Sequence, residues 1–167
     1  MDELLSSSEL DEFFRLIGRG LWYLQNVEDV LSSYLTLKAK FKTPAVVSNN
    51  EIKKTLKKYR SKTLGDAIEY AKGKNLFSED LLIQLETFNK ERNWLIHRSI
   101  RKNRDDLYNL KKREVTFKRI EGFGQQAINL HRLIAHELED FVISCGVSKE
   151  DIENETLRIA KEKGLIS

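Results

Sequence analysis

The stretch TFKRIEGFGQQAINLHRLIAHELEDFVISC, residues 116–145, decides the fold. Ile120, Phe123, Ala127, Leu130, Ile134, Leu138, Phe141 and Cys145 recur at steps of three and four, the spacing of one face of an α-helix. Such a near-heptad stripe, sustained from one end of the segment to the other, needs another helix to cover it, so it predicts bundle packing. Thr116 is the expected N-cap and Cys145 the last core position. A second long stripe runs through Leu10, Phe13, Ile17, Leu21, Leu24, Leu31 and Tyr34, widened by Phe14 and Leu35. It predicts a helix that starts near Ser6 or Ser8, with Glu9 three residues after Ser6 as capping-box partner, and reaches about Lys38. Gly18 and Gly20 lie inside it and permit a close helix contact or a bend, or are simply tolerated.

Between these two helices the punctuation marks shorter ones. Pro44 breaks the chain, and Ser48 with Glu51 opens a basic helix that turns Ile52, Leu56 and Tyr59 to one side. Thr63 and Asp66 cap LGDAIEYAK, which ends before Gly73. Ser78, followed by Glu79 and Asp80, starts a further long helix. Residues 102–115 are polar without a sustained period and read as a loop or irregular turn. The tail SKEDIENETLRIAKEKG, acidic first and basic last, reads as a surface helix. The expected architecture is all-α, an antiparallel bundle of four to five main helices with short extra helices, in one domain over residues 1–167.

The chain of 167 residues has 40% hydrophobic and 33% charged residues, eight glycines and one proline, a balance that suits a helical protein rather than a sheet protein rich in tight turns. The single cysteine excludes an internal disulfide and thiolate-based metal sites, and points to a reducing, cytoplasmic setting. The start MDELLSSSELDEFF lacks the basic opening of a secretory signal, and no apolar run is long enough for a membrane span. His131 and His136 are five apart, a spacing that misaligns the rings on a helix, so no metal site is expected. GFG at 122–124 has no preceding strand, which excludes a dinucleotide loop.

The net charge of +3 is modest, but its distribution is not even. Residues 38–62 hold nine Lys or Arg against Glu51 alone, and residues 101–119 hold eight against Asp105, Asp106 and Glu114. Each segment is either a solvated lysine-rich surface or a phosphate-backbone contact. On the second reading the RNA-binding candidates are Lys53, Lys54, Lys57, Lys58, Arg60, Arg98 and Arg101.

The chemistry concentrates in ERNWLIHRSI, residues 91–100, the second half of the helix that starts at Ser78. At about 100° per residue Leu81, Leu85, Phe88 and Leu95 share one arc, and Arg92 falls near its middle. A guanidinium against apolar neighbours costs several kcal/mol unless acceptors or an anion satisfy it. Asn93 and His97, four apart, flank that arc, so the amide can bond the imidazole and fix its tautomer. Ile83, Lys90 and Trp94 lie beyond His97 on the side away from the main core and are candidates for a dimer interface.

RNWLIH resembles the signature of the HEPN superfamily, an Arg, four to six residues, then His, commonly with a polar residue such as Asn after the Arg. KTLGDAI at 62–68 resembles a segment that precedes the motif in a number of its members. The resemblance implies a helical bundle that dimerises so that two Arg and His pairs face each other, and many members are metal-independent endoribonucleases in toxin modules, CRISPR effectors and antiphage systems. It implies Arg92, Asn93 and His97 as half of a composite catalytic site, with RNA, a second copy and an antitoxin or defence protein as partners, and no cofactor. Ser99 stands where one toxin branch has a modifiable tyrosine, which argues against control by tyrosine adenylylation. Other members keep the bundle without nuclease activity and serve as RNA-binding, protein-binding or dimerisation modules, the alternative reading here.

Overall fold

The computed structural model describes residues 5–40 and 49–166. Pro44 and Ser48, and with them the expected helix break and cap, lie outside the described residues. Among the described residues all regular structure is helical: α1 (Ser7–Lys40), α2 (Asn49–Arg60), α3 (Leu64–Lys72), α4 (Glu79–His97), α5 (Ser99–Asn103), α6 (Leu110–Ser144) and α7 (Lys149–Glu162), with one 3-10 turn at Asp105–Tyr108. The all-α expectation holds. None of these helices is long and apolar enough to cross a membrane.

The caps follow local side-chain chemistry. Ser6 and Glu9 form the expected capping box, the Ser6 amide donating to Glu9 Oε2 at 2.8 Å and the Glu9 amide to Ser6 Oγ at 3.3 Å. These bonds to Ser6, ahead of the Arg113 charge, hold the Glu9 carboxyl below its ordinary range. Thr63, Ser78 and Ser148 cap α3, α4 and α7.

Helices α1 and α6 form the spine, and they run in the same direction. Glu9 meets Arg113 and Tyr34 meets Glu137, pairs 104 and 103 residues apart in sequence, so the offset barely changes from one end of the contact to the other. Phe13 against Phe117, with ring centroids 5.6 Å apart, lies on the same register. So does Gly20 beside Gly124, where a Cβ built on Gly124 would lie 3.9 Å from the Gly20 Cα. A Cβ on Gly20 itself would come within 3.2 Å of Phe123 Cδ1, so this crossing needs hydrogen on that face. Gly18, two residues earlier, faces open space and is a tolerated glycine.

Helix α4 lies antiparallel to α6. Ser78 bonds Glu137 near its start, and Glu91 accepts from Arg119 near its end. Phe88 stacks on Phe123 between them, with centroids 4.8 Å apart and planes 5° from parallel. The expected antiparallel arrangement therefore applies to α4 and α6 and is corrected for α1 and α6. Leu31, Leu35, Leu81, Leu85, Ile120 and Ile134 fill the core with Tyr34 among them, and Tyr59 of α2 and Leu64 and Ile68 of α3 close it. The Tyr34 hydroxyl donates to Leu76 O at 2.9 Å and to Glu137 Oε2 at 3.0 Å; burial first, then the Glu137 bond, raises its pKa.

Four points depart from the sequence reading. Helix α6 starts at Leu110 under an Asn109 cap, not at Thr116, because Arg113 is 3% exposed and its Nη1 reaches Glu9 Oε2 at 3.4 Å, giving the polar first turns a tertiary anchor. Residues 102–115 are accordingly mostly helical, through α5, the 3-10 turn and the first turns of α6. Cys145 is the exposed C-cap of α6 rather than a core residue. In α1 the buried line passes through Leu16, Gly20, Leu24 and Val27, which leaves Leu10, Phe14 and Leu21 exposed.

The two glycines of α1 should separate in a denaturant titration. Gly18→Ala should gain up to about 1 kcal/mol from helix propensity. Gly20→Val should lose about 1–3 kcal/mol, because Phe123 is pinned by Phe88 and cannot make room. Equal effects at the two positions would contradict the close α1–α6 crossing.

Candidate functional site

Packing Leu81, Leu85, Phe88 and Leu95 into the core sets the rotation of α4, and that rotation carries Arg92 to the edge of the core. The guanidinium is half-buried there. Its Nη1 donates to Asn93 Oδ1 at 3.1 Å and lies 3.3 Å from His97 Nε2. Arginine has no acceptor, so in this contact Nε2 of His97 accepts, which puts the neutral ring's proton on Nδ1. Asn93 was expected to hold the imidazole; its oxygen holds the guanidinium, and Arg92 touches the ring. His97 ends α4 and is exposed, with Arg98 closing the helix and α5 leaving beyond it. Ser99 Oγ donates to Leu95 O at 2.6 Å.

Arg92 Nε is buried without a hydrogen-bond partner. The carboxyl that interacts with its charge comes from α1. Glu28 is half-buried, and burial raises its carboxyl above the ordinary range while the Arg92 guanidinium pulls it back down. Sequence reasoning passed over Glu28, although the signal was present. Leu24, Glu28, Leu31 and Leu35 lie on one helical face, so Glu28 interrupts the α1 stripe as Arg92 interrupts that of α4.

Glu28 also lines a polar cavity of about 190 Å³ between α1, α2 and α3, with Asp29, Ser32, Tyr59, Lys62 and Thr63. The α3 start approaches α4 here: a Cβ on Gly65 would meet Asn89 Nδ2 at 3.4 Å. KTLGDAI and the Arg92–His97 segment therefore lie on adjoining elements.

Trp94 does not face a second surface. It is 5% exposed, its ring lies under the Arg119 guanidinium at 3.7 Å, and its Nε1 donates to Asn103 Oδ1 at 3.0 Å. The side of α4 expected to be free is covered by α6 and α5, and only Ile83 and Lys90 of that group stay exposed. The larger uncovered apolar surface lies on the other flank of His97. Phe14 and Leu21 of α1, Ile96 of α4 and Ile100 of α5 are exposed and line a cleft of about 410 Å³ with Phe13, Ile17 and Leu107.

The basic candidates divide. Lys53, Lys54, Lys57 and Lys58 of α2 are exposed, as are Arg98 and Arg101 beside His97. Arg60 is exposed as well and is ion-paired with Asp29 at 2.6 Å. In the second basic segment Arg119 pairs with Glu91 at 2.8 Å and Lys112 with Asp106 at 3.6 Å. Lys38 and Lys62 lie over aromatic rings. His136 pairs with Asp140 one turn on, at 3.1 Å.

Comparison with protein-family models, with curated proteins and with solved structures finds no match to this chain.

A raised carboxyl binds its proton more tightly in the folded state, so the stability linked to Glu28 is present at low pH and lost as pH rises through the folded value. Glu28→Gln should therefore raise Tm at pH 7, with its advantage over the wild type shrinking as the pH falls through that value. Matched melting curves across pH check this; a constant gap would show that the carboxyl is not held up by burial.

Proposed function

We propose that this chain is a metal-independent endoribonuclease of the HEPN type, acting as a homodimer in which Arg92, Asn93 and His97 of each protomer form half of a composite site. The observation that carries the reading is the 3.3 Å contact of Arg92 Nη1 with His97 Nε2 at an exposed helix end. A guanidinium and an imidazole that already touch can bind one phosphate together. When a phosphodiester displaces that contact, Arg92 takes the non-bridging oxygens and Nε2 is released as a base.

Cleavage then needs no metal. One His97 takes the proton of the 2′-hydroxyl, the 2′-oxygen attacks phosphorus, and the bond to the 5′-oxygen breaks. The second His97 protonates the departing oxygen while the two Arg92 side chains stabilise the phosphorane. The products are a 2′,3′-cyclic phosphate and a 5′-hydroxyl. DNA, without the attacking hydroxyl, survives. Lys53, Lys54, Lys57, Lys58, Arg98 and Arg101 supply the exposed charge that grips the RNA backbone. A toxin–antitoxin or antiphage role, with an antitoxin or defence partner protein, fits such an activity.

The second copy covers the cleft of Phe14, Leu21, Ile96 and Ile100, because Ile96 precedes His97 and Ile100 lies one turn beyond it. Pairing this face with itself brings the two imidazoles toward each other. Trp94, being buried in its own chain, takes no part.

Incubation with total RNA in EDTA tests the reading. The wild type should leave cyclic phosphate ends, His97→Ala should lose at least about 100-fold in rate, and Arg92→Ala about 100- to 1,000-fold, with helical circular dichroism unchanged. Intact RNA with the wild type would contradict it. Ile100 is 77% exposed, so Ile100→Asp should leave the fold intact while giving a monomer in sedimentation and abolishing cleavage. A dimeric, active Ile100→Asp would move the interface elsewhere.

A further inference from the structure

The Glu28 carboxylate makes no hydrogen bond or ion pair among the described residues, yet it is half-buried at the wall of a cavity and interacts electrostatically with Arg92, whose Nε has no partner. The Gln25 amide and the Lys62 ammonium, which lies over the Tyr70 ring, also line the cavity, and the remaining polar side chains around it are engaged. Ser32 Oγ donates to Glu28 O at 2.8 Å, Thr63 Oγ1 donates to Asp66 Oδ2 at 2.8 Å, the Tyr59 hydroxyl donates to the Tyr70 hydroxyl at 3.1 Å, and Arg60 holds Asp29. Of the two carboxylates on the cavity, Asp29 is paired and Glu28 is left open, an acceptor of two parallel N–H bonds.

Its volume of about 190 Å³ falls below the roughly 300–1,000 Å³ of drug-sized sites. A single planar base is the scale of fragment it takes. Sequence-selective RNA recognition works by splaying single-stranded bases into such sites and bonding their Watson–Crick edges. Among the four bases, guanine alone offers two adjacent N–H donors, N1–H and the 2-amino group, to one carboxylate. Adenine and cytosine each offer a single amino donor beside an acceptor, which would meet the carboxylate with repulsion, and uracil offers one imide N–H between two carbonyls.

We propose that the cavity between α1, α2 and α3 is a guanine subsite, in which Glu28 accepts from N1–H and N2–H of a nucleotide next to the phosphate held by Arg92 and His97. The inference rests on the ribonuclease reading and adds a base preference to it. Glu28 is then a specificity-determining residue. It also explains why a carboxylate is kept on the buried stripe of α1, where a leucine would pack without desolvating a charge.

The test uses fluorescein-labelled single-stranded oligouridylate RNAs with one central guanosine, inosine or adenosine. Binding is read by anisotropy with full-length His97→Ala, and cleavage sites are mapped with the wild type in EDTA. Inosine lacks only the 2-amino group. The guanosine RNA should bind at least about tenfold more tightly than the inosine RNA, the loss of one charge-assisted hydrogen bond, and cleavage should fall next to the guanosine. Glu28→Gln, introduced into the same protein, should reduce that preference below about threefold while the oligouridylate background is kept. Equal binding of guanosine and inosine RNAs, or an undiminished preference in Glu28→Gln, would overturn the subsite and leave the ribonuclease reading standing. Failure to bind any of the RNAs would overturn both.

Discussion

The close parallel crossing of α1 and α6 is the constraint on which the rest of the structure depends. Gly20 and Gly124 let the two longest helices approach until Phe123 rests against the bare backbone of α1. Phe123 in turn presents a flat face to Phe88, and that stack orients α4. With α4 fixed at Phe88, the next turn carries Arg92 to the edge of the core toward α1, and the turn after that brings His97 to the surface. The candidate site is thus set by packing two turns away from it. A shift of the α1–α6 register would move Glu28 along α1 and separate it from Arg92.

The second organising feature is a pair of misplaced charges. A carboxylate on the apolar stripe of α1 and a guanidinium on that of α4 would each be costly alone. Their charges interact and compensate in part, without closing into an ion pair, and each keeps hydrogen-bonding capacity. That incomplete satisfaction separates this region from the Tyr34, Glu137 and Ser78 network at the other end of α4, where the polar side chains bond one another directly. One end of the bundle is locked by satisfied hydrogen bonds; the other holds groups able to bind something.

Much of this was legible in the residues. The stripes of α4 and α6, the caps at Ser6, Thr63 and Ser78, and the proximity of Arg92 to His97 follow from periodicity and spacing. The relative direction of α1 and α6 does not, since a stripe defines a face and says nothing about which way its partner runs. The first turns of α6 were missed because LKKRE is polar, and its anchor is Glu9 at the far end of the chain. Trp94 was misplaced because an indole on the flank of a helix is equally suited to an interface or to a cover such as Arg119. Glu28 carries a signal of another kind: a stripe is defined by its apolar members, and Glu28 is informative because it does not belong on that of α1.

Two imidazoles acting on one phosphate are the central claim, and mixed dimers test it most directly. Heterodimers of one wild-type and one His97→Ala subunit, isolated through a tag on each, would be assayed for single-turnover RNA cleavage in EDTA. A composite site predicts a rate at least about 100-fold below that of the wild-type dimer, because either the base or the acid is missing from every site. Half the wild-type rate would mean that each protomer works alone, and would contradict it.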